Sequence, residues 1–251
     1  MRLDTGNLPI AWLPRIRALS GKVSSRLNGS SLTGKRITTN DADGQFLRYG
    51  GRVRIAWITI FLVVLLWSGI NPKDTVTWGL EVAPAVIGFA VLAITRHRFA
   101  LTPLLYALIL LHCVVLMVGG HYTYAEVPLF DLLQPVFGFE RNNFDKLGHF
   151  LQGFVPALIG REILIRKAII DSVYWRNFFI VCFCLAFSAF YELIEWAVAE
   201  ISGEGAEAFL GTQGYAWDTQ SDMGFALLGA ILGLFLLGRL HDRQLRQLTS
   251  A

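Results

Sequence analysis

Six apolar runs, each about as long as a bilayer is thick, alternate with polar stretches along this chain. They fall at about 54–70, 78–94, 102–120, 145–165, 176–200 and 219–238. A helix needs roughly 20 apolar residues to cross the hydrocarbon core. The pattern therefore predicts an all-α fold, a polytopic membrane protein built as a bundle of six transmembrane helices. Charged residues interrupt the fourth and fifth runs. Residues 1–52 are expected to form a basic cytoplasmic tail, 53–245 the six-helix domain and 246–251 a C-terminal tail.

The polar stretches give the orientation. The N-terminal tail and the segments 96–98, 161–176 and 239–246 are rich in Lys and Arg. With six spans these four lie on one side, which the positive-inside rule makes cytoplasmic. The alternate loops, 71–77, 121–144 and 201–218, are poor in Lys and Arg and carry Glu126, Asp131, Glu140, Glu204 and Glu207. Aromatic residues gather at span ends, with Trp67, Trp78, Tyr122, Trp196 and Trp217 on the outer side and Trp57 and Trp175 on the inner. Indole and phenol rings favour the headgroup layer. Both termini are thus expected inside.

Composition adds little to this but excludes alternatives. The 251 residues are 54% apolar and 16% charged, with a mean hydropathy of +0.49, too apolar for an ordinary soluble domain. The chain opens without the apolar core of a secretory signal. Residues 10–27 suit either a membrane-surface helix or a mobile basic tail, and the Ser/Thr/Gly-rich stretch 28–44 suits a flexible linker. Cys113, Cys182 and Cys184 all fall inside apolar runs and are expected to be packed thiols. There is no phosphate-cradling glycine loop and no basic-aromatic nucleic-acid surface. Gly229 and Gly233 form a GxxxG step suited to close helix packing.

The candidate chemistry sits at the outer ends of the last three spans. Asp145 and His149 open the fourth, Glu192 and Glu195 come late in the fifth, and Asp218 and Asp222 open the sixth. Spacings of three and four put each pair on one helix face, and an ionisable group at membrane depth is a functional hypothesis by default. Facing carboxylates and imidazoles are how helix bundles hold metal ions. The mixed oxygen and nitrogen set suits Zn, Mn or Fe(II), and a carboxylate subset suits Mg or Ca. Five carboxylates in a partly dry pocket need protons or positive partners. Arg141 and Lys146 are the only nearby bases, which leaves an excess that a divalent ion would relieve. Asp145, His149, Glu192 and Asp222 are the candidate metal ligands. Glu195 and Asp218 are candidate catalytic carboxylates, and Arg141, Lys146, His121, Tyr122 and Gln220 are candidate substrate contacts. Three plainer readings stand beside this one: structural interhelical bonds, a proton or cation pathway, or side chains that are simply wet. Thr219 or Ser221 is expected to cap the sixth helix. Glu162 is expected to pair with Arg166 or reach water, and Gln152 to extend the polar face of His149.

From about residue 57 to 245 the chain resembles the bacterial inner-membrane proteins of the YjdF family. The residues that carry the likeness are Leu80-Glu-Val-Ala-Pro84, Leu101-Thr-Pro-Leu-Leu-Tyr106, Val118-Gly-Gly-His-Tyr-Thr-Tyr124, Asp145-Lys-Leu-Gly-His-Phe150, Gln152-Gly-Phe-Val-Pro-Ala157, Ser188-Ala-Phe-Tyr-Glu-Leu-Ile-Glu-Trp196, Phe209-Leu-Gly-Thr-Gln-Gly214 and Trp217-Asp-Thr-Gln-Ser-Asp-Met223. The resemblance implies a multi-pass inner-membrane protein and no particular activity. A slighter likeness, to VanZ-like membrane proteins, covers only the Asp-Lys-x-x-His step at 145–149 and the acidic helix positions after it, and points to the cell envelope. Two functions are expected to compete. One is a metal-dependent hydrolase of an envelope lipid or lipid-linked substrate, and the other a non-enzymatic protein that binds or transports a cation, a proton or a small solute. A structural membrane role is the third. The lipid bilayer is the expected partner, and nucleic acid is not.

Overall fold

The computed structural model describes residues 39–202, 210 and 212–249. The chain clusters into two units, Met1–Phe46 and Leu47–Ala251, and apart from the first residues of one helix everything below concerns the second. Residues 10–27 and 28–38 lie outside the described residues. Residues 39–44, expected to belong to a linker, are the first turns of a helix instead. Among the described residues these helices follow one another: α1 Thr39–Ser68, α2 Thr75–Thr95, α3 Pro103–Tyr122, α4 Pro128–Phe137, α5 Phe144–Arg166, α6 Val173–Ser202 and α7 Asp218–Thr249. A short 3-10 turn, Tyr124–Glu126, links α3 to α4. No strand occurs among the described residues.

Local chemistry accounts for the helix ends. The Asp74 side chain accepts a hydrogen bond from the Thr77 N–H at 2.7 Å and caps α2. That bond holds the Asp74 carboxyl below its ordinary value. Pro103 occupies the first turn of α3, where a missing N–H costs nothing. Gly138 closes α4 at φ +67°, a conformation natural to glycine. Neither Thr219 nor Ser221 caps the last helix, because α7 already begins at Asp218.

Five of these helices are long and apolar enough to cross a membrane: the Gly50–Ser68 part of α1, α2, α3, the Val173–Ile201 part of α6 and the Asp218–Leu248 part of α7. Helix α5, the fourth of the expected spans, is long enough but carries Asp145, Lys146, Arg161, Glu162 and Arg166. It is also the helix most completely enclosed, with neighbours α3, α6 and α7. Its polar residues therefore face protein, and the outer helices carry the apolar surface. Val63, Leu66, Phe183, Phe190 and Phe235 are among the large side chains exposed there. Cys182 is exposed as well, while Cys113 and Cys184 are packed as expected.

The pair α5–α7 forms the closest seam. A Cβ on Gly153 would overlap the Ala226 carbonyl, and one on Gly229 would overlap the Phe150 carbonyl. Gly233 lies against Phe154 in the same row. Small residues let two backbones approach in this way. Helices α5 and α7 run parallel, since their first turns meet through Lys146 and Asp222 and their last turns through Glu162 and His241. Helix α6 runs antiparallel to both, so its C-terminal half meets their N-termini. On the far side, stacked Trp57, Phe61 and Phe89 join α1 to α2, and Trp57 Nε1 donates to the Tyr106 carbonyl at 2.7 Å.

The segment 121–144, expected to be a plain loop, holds the 3-10 turn and α4. Leu129, Leu132, Val136 and Phe137 of α4 are all more than 60% exposed. Such a helix suits the membrane interface.

Candidate functional site

Four elements bring acidic side chains to one end of the bundle. The first turns of α5 supply Asp145, Lys146, His149 and Gln152. The second half of α6 supplies Glu192 and Glu195, the start of α7 supplies Asp218 and Asp222, and α2 adds Glu81. All are buried, none more than 8% exposed. Six carboxyl groups thus share this region with Lys146 and the half-buried Arg141 as its fixed cations.

The cations are not spread evenly. Asp218 Oδ1 accepts from Arg141 Nη1 at 2.6 Å and from Lys146 Nζ at 2.7 Å. Lys146 also donates to Asp222 Oδ1 at 2.6 Å and lies 3.5 Å from Asp145 Oδ2. The Tyr215 ring covers both cations, 5.5 Å from the Arg141 guanidinium and 5.8 Å from Lys146 Nζ. Towards α6 the compensation runs out. The buried Asp145 Oδ2 and Glu192 Oε1 have no hydrogen-bond partner, although a native interior leaves few such atoms.

His149 stands at the centre. Its Nδ1 lies 3.0 Å from Gln152 Oε1, which would accept from an Nδ1–H, and 3.8 Å from Glu192 Oε1. The opposite nitrogen, Nε2, lies 3.4 Å from Asp145 Oδ1 and 4.0 Å from Asp222 Oδ1, the latter already accepting from Lys146. A second ring proton or a metal ion would join His149 to both carboxylates. Two trios have ligand atoms within 4.8 Å of one another, Asp145/His149/Asp222 and His149/Glu192/Glu195. Ligands of a tetrahedral ion with bonds of about 2.1 Å sit about 3.4 Å apart, so small side-chain movements would close either trio. Gln152 is the outer partner that fixes a ligating histidine's tautomer.

Loop residues close over this layer. Asn142 and Gln213 exchange a pair of bonds, Asn142 N–H to Gln213 Oε1 at 3.0 Å and Gln213 Nε2 to the Asn142 carbonyl at 2.9 Å. Beside them lies an open groove of about 870 Å³. One wall is polar, with Arg141, Asn143, Lys146 and Ser221, and the other is apolar, with Phe130, Phe139, Leu147, Phe150 and Phe225.

Most of the expected residues meet here, and three do not. Asp145, Lys146, His149, Glu192, Glu195, Asp218, Asp222 and Arg141 form one contiguous cluster. Gln220 is exposed, and Gln213 takes the loop position beside the groove. His121 and Tyr122 pack with Trp67 at the end of α1, and His121 Nδ1 lies 3.0 Å from the Ser68 carbonyl.

Two participants were not anticipated. Tyr191 donates to Glu81 at 3.3 Å and sets its ring edge against His149. Tyr124 plugs the space left by Gly119 and Gly148, where any Cβ would strike its ring. Burial pushes the Tyr124 phenol well above its ordinary value, with Glu81 adding to the effect. Thr123, at φ 57° and ψ 144°, makes the turn that aims Tyr124 inward. Tyr191 directly precedes Glu192 and lies four residues before Glu195, and that i, i+4 spacing was the available signal.

Comparison with known proteins identifies the family. Residues 53–243 match the family described as predicted membrane protein (DUF2238). The chain belongs to that family. It is 52% identical over 185 residues to the inner membrane protein YjdF of Escherichia coli (strain K12), covering 74% of this chain and 88% of that relative. No solved structure matches. The matched region contains all of the clustered side chains, and this family member is an integral membrane protein of the inner-membrane type.

Proposed function

We propose that the bundle crosses the membrane six times, with α5 as the enclosed fourth span, both termini cytoplasmic and the acidic cluster facing outward. In this reading the cluster holds a divalent metal ion that serves hydrolysis of an envelope lipid or lipid-linked substrate. The observation that carries it is His149. Its Nε2 faces Asp145 Oδ1 and Asp222 Oδ1, and one ion placed among the three would be within reach of all of them.

Asp145, His149 and Asp222 would hold the ion, which would supply a water made nucleophilic near neutral pH. Glu192 and Glu195 lie beside the same ring, and Glu195 would be the carboxylate to receive that water's proton. Asp218 is held by Arg141 and Lys146, so it positions those cations rather than acting as base. The adjoining groove supports a substrate with an anionic headgroup at Arg141 and Lys146 and an acyl chain along Phe150 and Phe225.

The site opens to one side only. Buried Val155, Leu158, Cys184, Ala226 and Ala230 fill the bundle below it, which supports a hydrolase over a transport path.

Elemental analysis of protein purified without chelators tests this. A stoichiometric divalent ion in the wild type, lost in His149→Ala and in Asp222→Asn, is expected. Wild-type protein free of metal after mild preparation would sink the metal reading and leave a proton-sharing carboxylate cluster. Metal retained in both variants would move the ion elsewhere.

A further inference from the structure

The opposite end of the bundle contains a buried cation for which the described residues supply no close counter-ion. Arg176, in the first turn of α6, is only 8% exposed. Its Nη1 donates to the Ile170 carbonyl at 3.2 Å, but its buried Nε has no hydrogen-bond partner. Among the described residues no carboxylate approaches within 4.0 Å of it. The charge that bears on it most strongly is another guanidinium, Arg161, itself 7% exposed. Arg161 already uses Asp242, donating to it at 2.6 Å. Asp242 and Asp171 reach Arg176 only over longer range.

An unpaired buried charge is costly, and near lipid more so. The surroundings say what kind of anion would relieve it. Trp175, Phe178 and Phe179, on either side of Arg176 in the sequence, are half exposed or more, at 53%, 50% and 50%. A tryptophan there marks the headgroup level. Guanidinium groups match phosphate with a planar fork of donors, and basic pockets between membrane helices bind phospholipid headgroups.

We propose that Arg176, backed by Arg161, binds the phosphate of an anionic phospholipid whose acyl chains lie along the aromatic face of α6. Inorganic phosphate offers the same chemistry without the chains. The exposed aromatic face favours the lipid.

The test uses the full chain in detergent, stripped of lipid, with native mass spectrometry and thermal unfolding as readouts. Phosphatidylglycerol, phosphatidylethanolamine and inorganic phosphate are titrated in turn. Phosphatidylglycerol is expected to stay bound and raise Tm, with phosphatidylethanolamine at least tenfold weaker and phosphate without effect at the same concentration. Arg176→Gln should weaken phosphatidylglycerol binding at least tenfold. Arg176→Lys, which keeps the charge and loses the fork, should give a smaller loss and carries the test if the glutamine variant does not fold. Unchanged phosphatidylglycerol binding in the variants would overturn the site. An equal response to inorganic phosphate would overturn its assignment to a lipid.

Discussion

The two ends of the α5–α7 pair each bury a cluster of charged side chains, and the two are built on opposite principles. At the basic end Glu162 is fully buried and every contact it makes is a donor. It accepts from the Thr102 hydroxyl at 2.9 Å, Arg166 at 2.7 Å and His241 Nε2 at 2.9 Å, and the Thr102 N–H approaches at 3.2 Å. His241 is satisfied on both sides, its Nδ1 accepting from Arg161 at 3.3 Å. At the acidic end the same residue types leave Glu192 Oε1 without a hydrogen-bond partner, and Asp145 Oδ2 with only the longer approaches of Lys146 at 3.5 Å and Arg141 at 3.7 Å. A cluster that satisfies its members holds helices together, and a cluster that does not is configured for something it lacks. The comparison separates a clamp from a site, although both look in the sequence like charges in apolar helices.

Breaking the clamp gives the largest effect. Glu162→Ala strands His241, Arg166 and the Thr102 groups together, and a loss of roughly 3–5 kcal/mol is expected for one partner of a buried charged network. Thermal unfolding in detergent measures it, and a loss under about 1 kcal/mol would mean that water replaces the carboxylate. The seam between the two clusters comes next. Gly153→Val should cost roughly 3 kcal/mol, because the new side chain meets the Ala226 backbone rather than a movable side chain.

The site should respond in the other direction. Glu192→Gln removes one negative charge from an uncompensated group, so metal-free protein is expected to be as stable as the wild type or about 1 kcal/mol more stable. Destabilisation as large as that of Glu162→Ala would erase the contrast between the ends. Relief of strain at Thr123 by Thr123→Gly should stabilise by about 1 kcal/mol, provided Tyr124 keeps its seat between Gly119 and Gly148.

The smallest effect concerns a group outside both clusters. Asp74→Ala should cost about 1 kcal/mol by removing the cap of α2. Because the folded carboxyl is held below its ordinary value of 3.8, its contribution is present above that pH and fades as pH falls through the lowered value. An acid titration of wild type and variant should therefore converge at low pH.

Much of this was readable in the chain. Apolar runs located the four middle long helices within a few residues, because lipid demands long unbroken apolar segments, whereas α1 begins at Thr39 and α7 ends at Thr249, well outside their apolar runs. The pairs at spacing three and four in Asp145/His149, Glu192/Glu195 and Asp218/Asp222 brought out the cluster, since residues so spaced share a helix face. The Glu162–Arg166 pair and the close-packing role of Gly229 and Gly233 followed from the same local rules. What escaped were features carried by partners far along the chain. His241 and Thr102 meet Glu162 from 79 and 60 residues away. Helix α4 was missed because its apolar run is too short to register as a span.

The amino-acid sequence by itself determined that this protein is an all-helical membrane protein of its family and which ionisable groups sit near helix ends. Both are consequences of short-range periodicity and of the cost of placing charge in lipid. Only the tertiary structure decided that α5 is enclosed rather than lipid-facing, that Asp218 is neutralised while Glu192 is not, and that His149 turns Nε2 rather than Nδ1 towards the two aspartates. Those facts depend on which helices become neighbours and how closely they approach, and the glycine seam between α5 and α7 sets that distance.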